Sequence, residues 1–115
     1  MARTIIKQGE QFDRVVTLKY SDTFDYVDLS GCEAYCQMRT EPGGELLATA
    51  DCAVTPDLGR ISASFSSVDT YQIPPGNYGF DIWLVCEGTA KPIKTEEVTV
   101  IKRYTEVFDL MVGGE

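Results

Sequence analysis

The stretch Pro74-Pro75-Gly76-Asn77-Tyr78-Gly79-Phe80-Asp81-Ile82-Trp83-Leu84-Val85-Cys86 decides the fold. Its first three residues predict a turn, because proline fixes φ and glycine accepts a positive φ. The side chains that follow alternate strictly, which is typical of a β-strand with a different environment on each face. One face is the more apolar and carries Tyr78, Phe80, Ile82, Leu84 and Cys86, and the other carries Gly79, Asp81, Trp83 and Val85. We therefore expect this stretch to be the central strand of the core.

Shorter alternating segments flank this strand at 4–6, 12–19, 32–39, 46–54, 61–66 and 92–102. Turn residues separate them about every 8–12 residues, and a helical pattern is confined to 67–72. The polar segment 92–102 is expected at a sheet edge or with one solvated face. Together the segments predict an all-β fold, a two-sheet antiparallel immunoglobulin-like β-sandwich of about seven or eight short strands.

The chain of 115 residues is predicted to form one domain over 1–105, followed by a C-terminal arm over 106–115. The arm carries Phe108, Leu110 and Met111 after the last core strand. These apolar residues predict an interface, in which the arm adds a strand to the sheet edge of a neighbouring subunit. The alternative is a last strand that folds back on its own sheet.

The net charge of −8 argues against nucleic acid as the main partner, because phosphate binding requires a basic face. No apolar run approaches the roughly 20 residues of a membrane helix, so a membrane partner is not expected. The N-terminus has no apolar signal-peptide core, so export by that route is not expected either.

Four cysteines, Cys32, Cys36, Cys52 and Cys86, fall on the apolar phase of their strands. Cys32 and Cys36 would lie roughly 13 Å apart along one strand, too far for a disulfide or a shared metal. The leading expectation is four buried free thiols in a reducing compartment. One cross-strand or intersheet disulfide and a zinc site remain as alternatives.

The chain contains no histidine, which excludes Ser-His-Asp and Cys-His catalysis and a histidine general base. The glycine pair Gly43-Gly44 is too short for a phosphate-binding loop and no lysine follows it. We therefore expect no enzyme activity, no catalytic residue, no metal and no cofactor.

The aromatic residues Tyr26, Tyr35 and Trp83 are candidates for an exposed strip. Such a strip suits a protein interface or a sugar-binding platform, and the alternative is a loop that covers Trp83. Asp81 lies mid-strand, where a carboxylate is unfavourable. It is expected either on a solvated face beside Trp83 or paired with an arginine such as Arg39.

Four segments in order resemble blocks of small virion proteins of tailed bacteriophages: Ile6–Phe12, Val27–Ala34, Gln37–Thr40 and Ile73–Ile82. The resemblance covers roughly residues 4 to 105, and it includes matching polar positions at Gln37 and Arg39. The chain departs from the pattern in the loop 20–27 and in its cysteines.

The resemblance implies a non-enzymatic structural component of the virion, in the tail, the baseplate or a fibre adaptor. It implies synthesis in the host cytoplasm, other virion proteins as partners, and a homo-oligomer or symmetric assembly. Tyr35, Trp83 and the three apolar arm residues are the expected interface. The alternatives are a head or neck decoration protein and a host-surface carbohydrate-binding module.

Overall fold

The computed structural model describes residues 3–105 of the chain, which form eight strands and one short helix. The elements are β1 (Thr4–Lys7), β2 (Phe12–Thr17), β3 (Cys32–Arg39), β4 (Leu46–Thr49), β5 (Asp51–Thr55), β6 (Arg60–Phe65), α1 (Ser67–Tyr71), β7 (Gly76–Cys86) and β8 (Thr89–Ile101). A single 3-10 turn, Pro56–Leu58, joins β5 to β6.

The strands form two sheets. The five-stranded sheet has the order β1-β8-β7-β3-β4, and the three-stranded sheet has the order β2-β6-β5. All neighbouring strands are antiparallel except β1 and β8, which are parallel. This is the predicted all-β, immunoglobulin-like sandwich, with β7 in the middle of the larger sheet.

The core lies between the inner faces of the two sheets. Phe80, Ile82 and Leu84 of β7 are buried, as their alternation predicts. Phe80 meets Phe12 and Phe65 of the smaller sheet, with ring centroids 5.7 and 5.6 Å away. These rings join the sheets through apolar burial and edge-to-face contact.

The segment 46–54 reads as one alternating strand but divides at Ala50 between the two sheets. Its first part, β4, pairs with β3, and its second part, β5, pairs with β6. The amide of Ala50 still donates to the carbonyl of Cys36 at 2.9 Å. The buried phase continues through the corner, so the pattern of side chains does not reveal the change of sheet.

Two further details differ from the expectation of short antiparallel strands. β7 has 11 residues and β8 has 13, and the end of β8 is covered by the parallel strand β1 rather than lying at an edge.

The helix α1 is capped by Ser66, whose hydroxyl accepts from the amide of Asp69 at 3.2 Å. Among the described residues, no helix is long and apolar enough to cross a membrane.

The leading expectation of four free thiols is wrong. Cys32 and Cys86 are opposite each other on β3 and β7 and form a disulfide, with Cα atoms 4.2 Å apart. Cys36 and Cys52 are free. Strand pairing brings together two residues separated by 54 positions, which alternation alone does not specify.

Candidate functional site

The outer face of the five-stranded sheet is built from residues in register across β3, β7 and β8. Tyr35 is opposite Trp83, and Trp83 is opposite Pro92. The adjacent row is Gln37, Asp81 and Thr95. Successive side chains of a strand point to opposite faces, so these rows share the face away from the core.

The aromatic pair on this face is exposed. Tyr35 is 53% exposed and Trp83 is 36% exposed, so both side chains reach solvent. Opposite residues in an antiparallel pair have Cβ atoms roughly 4.5–5.5 Å apart, so the two side chains form one continuous patch. We call Tyr35 and Trp83 the aromatic pair.

Carboxylates flank the aromatic pair on both sides. The Tyr35 hydroxyl donates to Oε1 of Glu33 at 3.4 Å. On β7, Asp81 precedes Trp83 by two positions and is half-buried. Within residues 3–105, no hydrogen bond or ion pair reaches the Asp81 carboxylate. Of the two expectations for Asp81, the structure therefore shows the position beside Trp83 and not the pair with Arg39.

Arg39 is fixed by neutral groups. Its Nη1 donates to the carbonyl of Gly44 at 2.9 Å, and its Nη2 donates to Oε1 of Gln37 at 2.8 Å. These bonds hold the guanidinium against β3 and the loop that follows it. Its positive charge is therefore not neutralised by a carboxylate within the described part of the chain.

A groove of about 530 Å³ continues from Asp81 along the same face. The loop 40–43 forms one wall, and Arg3 and Glu97 form the other. These two residues are paired, with Nη2 and Oε1 3.2 Å apart. Gly79 lies in the groove, where a side chain would narrow it. The aromatic pair and this groove form the candidate site.

An ion pair beside the groove links the two sheets. Arg14 of β2 donates from Nε to Oε1 of Glu96 of β8 at 2.9 Å, and Thr4 also donates to Glu96. The hydrogen bonds from Arg14 hold the pKa of the Glu96 carboxyl below its ordinary value, while partial burial opposes the shift. This contact fixes β8, and with it one wall of the groove, against the smaller sheet.

The structure separates Tyr26 from the predicted strip. Tyr26 lies in the loop 18–27, where it forms an isolated bridge with Lys19, and not on the outer face of the larger sheet. The same loop exposes Tyr20 and Phe24, and Phe24 has a φ of +61° and is 72% exposed. The loop does not stand out as aromatic in the sequence because polar residues separate its aromatic ones. Its three aromatic residues, Tyr20, Phe24 and Tyr26, were the available signal.

The arm residues of the predicted interface, Phe108, Leu110 and Met111, lie outside the described residues. The division into a domain over 1–105 and an arm over 106–115, and the addition of the arm to a neighbour's sheet, therefore stay predictions. Trp83 and Tyr35 are placed on one exposed face, and their role as an interface also stays a prediction.

The two free thiols do not form a nucleophilic site. Burial raises the pKa of the Cys36 thiol to about 12, and neighbouring negative groups add to the shift. Burial also raises the pKa of Cys52. Since the thiolate is the reactive form, neither residue is prepared for nucleophilic attack at neutral pH.

Comparison with known proteins yields similarity to solved structures alone. No family model matches the chain, and no curated protein matches it. CopC from Methylosinus trichosporium OB3b is 13% identical with a TM-score of 0.47, and the match covers 91% of this chain and 89% of that one. PcoC, a methionine-rich copper resistance protein from Escherichia coli, is 18% identical with a TM-score of 0.40, and coverage is 87% and 89%.

The predicted membership of a phage virion family is wrong: no family model matches the chain, and the solved structures similar to it include CopC and PcoC rather than virion proteins. The predicted virion function and virion location are therefore also wrong. This includes the tail, baseplate, head and host-surface alternatives. The four sequence blocks contain turn and strand residues that recur in many sandwiches, so their order reflected the fold rather than the family.

Copper binding does not transfer to this chain from these weak similarities. The chain has no histidine, and Met38 is completely buried in the core. Among residues 3–105, no group of three or more histidine, cysteine or acidic side chains is placed to hold a metal ion. The described side chains therefore do not fit a copper centre.

Proposed function

We propose that this chain is a non-enzymatic binding module that docks a protein partner on the outer face of its five-stranded sheet. The observation that carries the proposal is the aromatic pair. Trp83 and Tyr35 lie opposite each other on β7 and β3 and are open to solvent, while the other face of the same strands is buried. Tryptophan and tyrosine are enriched at the energetic centres of protein interfaces.

The chemistry of the chain supports a binding role rather than a catalytic one. A histidine base is impossible, since the chain has no histidine. The thiol of Cys36 is buried, and its raised pKa keeps it protonated at neutral pH. The groove beside the aromatic pair offers a recess in which a partner segment can lie.

A separate protein fits this face better than a second copy of the chain. Glu33 and Asp81 flank the aromatic pair, and the whole chain carries a charge of −8. Two such faces brought together would place like charges opposite each other, which is unfavourable at an interface. A homo-oligomer that uses another surface, including the arm, stays a separate prediction.

Site-specific photo-crosslinking in the source cells tests the proposal. A photoreactive phenylalanine derivative, which keeps an aromatic ring at the site, replaces Tyr35 in one variant and Val15 in the control variant. Val15 is 60% exposed on the outer face of the smaller sheet, so the two probes are similarly accessible but lie on opposite faces.

The proposal predicts an adduct with one defined protein from position 35 and not from position 15. Adding Trp83→Ala to the position-35 variant should abolish that adduct, because truncating a central aromatic costs about 2 kcal/mol or more of binding. Identical adducts from both positions, or no adduct from position 35, would contradict it. An adduct of twice the chain's own mass would show self-association instead.

A further inference from the structure

The aromatic pair and Asp81 together form a site with the chemistry of a cation receptor. Trp83 and Asp81 are two positions apart on β7, so they lie on the same face of the sheet. Tyr35 borders Trp83 from β3, and Glu33 lies beyond Tyr35. Two exposed aromatic rings are thus bracketed by two carboxylates.

The Asp81 carboxylate accepts no hydrogen bond and forms no ion pair within the described part of the chain. It is half-buried in the middle of a strand, where aspartate is unfavourable, and no described side chain or amide binds it. A partly desolvated carboxylate gains from a charged donor that approaches it. The indole N–H of Trp83 likewise donates to no group in the described part of the chain.

The cations already present on this face are bound by other groups. Arg3 is paired with Glu97, and Arg39 donates to Gln37 and to the carbonyl of Gly44. Neither arginine forms a described ion pair with Asp81. Within the described residues, neither arginine supplies a cation to Asp81, so this position is open to a cation from a partner.

We propose that the partner inserts an arginine side chain at this point, with its guanidinium over the Trp83 ring and hydrogen-bonded to the Asp81 carboxylate. Tryptophan has the aromatic face to which cations bind best. Arginine fits better than lysine, because its planar guanidinium stacks on a ring and binds a carboxylate through two parallel hydrogen bonds. This inference rests on the proposed docking of a protein on this face.

The test uses short peptides and the chain's single tryptophan as the reporter. The probe is acetyl-Gly-Ser-Arg-Ser-Gly-amide, and its control carries citrulline, which has nearly the shape of arginine without the charge. Fluorescence of Trp83 should change saturably with the arginine peptide, and binding of the citrulline peptide should be weaker by about tenfold or more. A lysine peptide should bind more weakly than the arginine peptide.

Two matched variants locate the site. Asp81→Asn should weaken binding of the arginine peptide by about tenfold or more, and Asp51→Asn, on the outer face of the smaller sheet, should leave it unchanged. Both variants should keep the melting temperature of the unmodified chain, because neither carboxylate has a described hydrogen bond or ion pair.

Equal binding of the arginine and citrulline peptides, equal binding by the Asp81→Asn chain, or no fluorescence change up to about 10 mM arginine peptide would overturn the inference. Binding of the lysine peptide as tightly as the arginine peptide would overturn the choice of guanidinium. These failures are distinguishable from failure of the proposed function. A partner cross-linked through position 35 and lost with Trp83→Ala would still show docking on this face.

Discussion

At the scale of single residues, the charge on Glu96 is expected to stabilise the fold in a pH-dependent way. Its folded-state pKa is lowered, so its stabilisation is complete above the ordinary carboxyl pKa and is lost as the pH falls through the folded-state value. Glu96→Gln should therefore lower the free energy of unfolding by about 1.5–3 kcal/mol near neutral pH.

Urea unfolding at about pH 7 and near pH 3 measures this effect, and the difference between Glu96→Gln and the unmodified chain should shrink at the acid end. Glu97→Gln is the matched control. Glu97 is the adjacent carboxylate and its ion pair with Arg3 is exposed, so this change should cost less than about 1 kcal/mol. A Glu96→Gln penalty that is independent of pH would contradict the electrostatic explanation.

Gly59 is the second residue with a specific expected effect. It has a φ of +55°, and a Cβ there would collide with the carbonyl oxygen of Leu18. Gly59→Ala should lower the free energy of unfolding by about 3 kcal/mol, because the backbone strain and the collision add.

Gly43→Ala separates these two causes. Gly43 has a φ of +77°, but nothing lies within 4 Å of an added Cβ, so it should lose about 1–2 kcal/mol from strain alone. Chemical unfolding of both variants makes the comparison, and equal losses would show that the close approach of Leu18 is unimportant.

At the scale of elements, the disulfide joins β3 to β7 near one end of the larger sheet. Closing a loop between residues 54 positions apart restricts the unfolded chain, which corresponds to about 4 kcal/mol in the chain-entropy model. The double variant Cys32→Ser, Cys86→Ser should therefore lose about 2–4 kcal/mol of unfolding free energy.

Unfolding with and without a reductant measures the contribution of the disulfide. The unmodified chain should lose stability when it is reduced, while the double serine variant should not respond. Cys52→Ala is the control, because Cys52 is a free cysteine and its removal should leave the sensitivity to reductant unchanged. Cys36→Ser is less suitable because it would place a hydroxyl in the buried core. Loss of that sensitivity in the Cys52→Ala chain would mean that a different pair is bonded.

The strands also show which features of the fold can be predicted from a sequence pattern and which cannot. Alternation identified β7 and its buried side chains, because burial on one face imposes a period of two residues. It did not reveal the corner at Ala50, since the buried phase runs unbroken through both sheets. It also did not reveal the parallel pairing of β1 with β8, because the choice of partner depends on contacts between residues that are distant along the chain.

The candidate site shows the same limit. Exposed positions for Tyr35 and Trp83 were expected from their phase, but the sequence alone does not specify that they are opposite each other. Tyr26 has the same composition signal and lies elsewhere, because the loop 18–27 returns to the smaller sheet. Register between strands, rather than residue type, brings the site together.

At the scale of the whole molecule, the sandwich leaves two broad outer faces with different character. The smaller sheet presents Asp, Ser, Thr and Ala side chains together with Val15 and Arg60, whereas the larger sheet presents the aromatic pair and the adjoining groove. A binding role for the larger sheet requires that a partner contact this face and leave the other in water.

Hydrogen–deuterium exchange of the chain, with and without the protein cross-linked through position 35, tests that requirement most directly. The account predicts slower exchange in β3 and β7 when the partner is bound, and unchanged exchange in β2, β5 and β6. Slower exchange in β2, β5 and β6, with β3 and β7 unchanged, would contradict it.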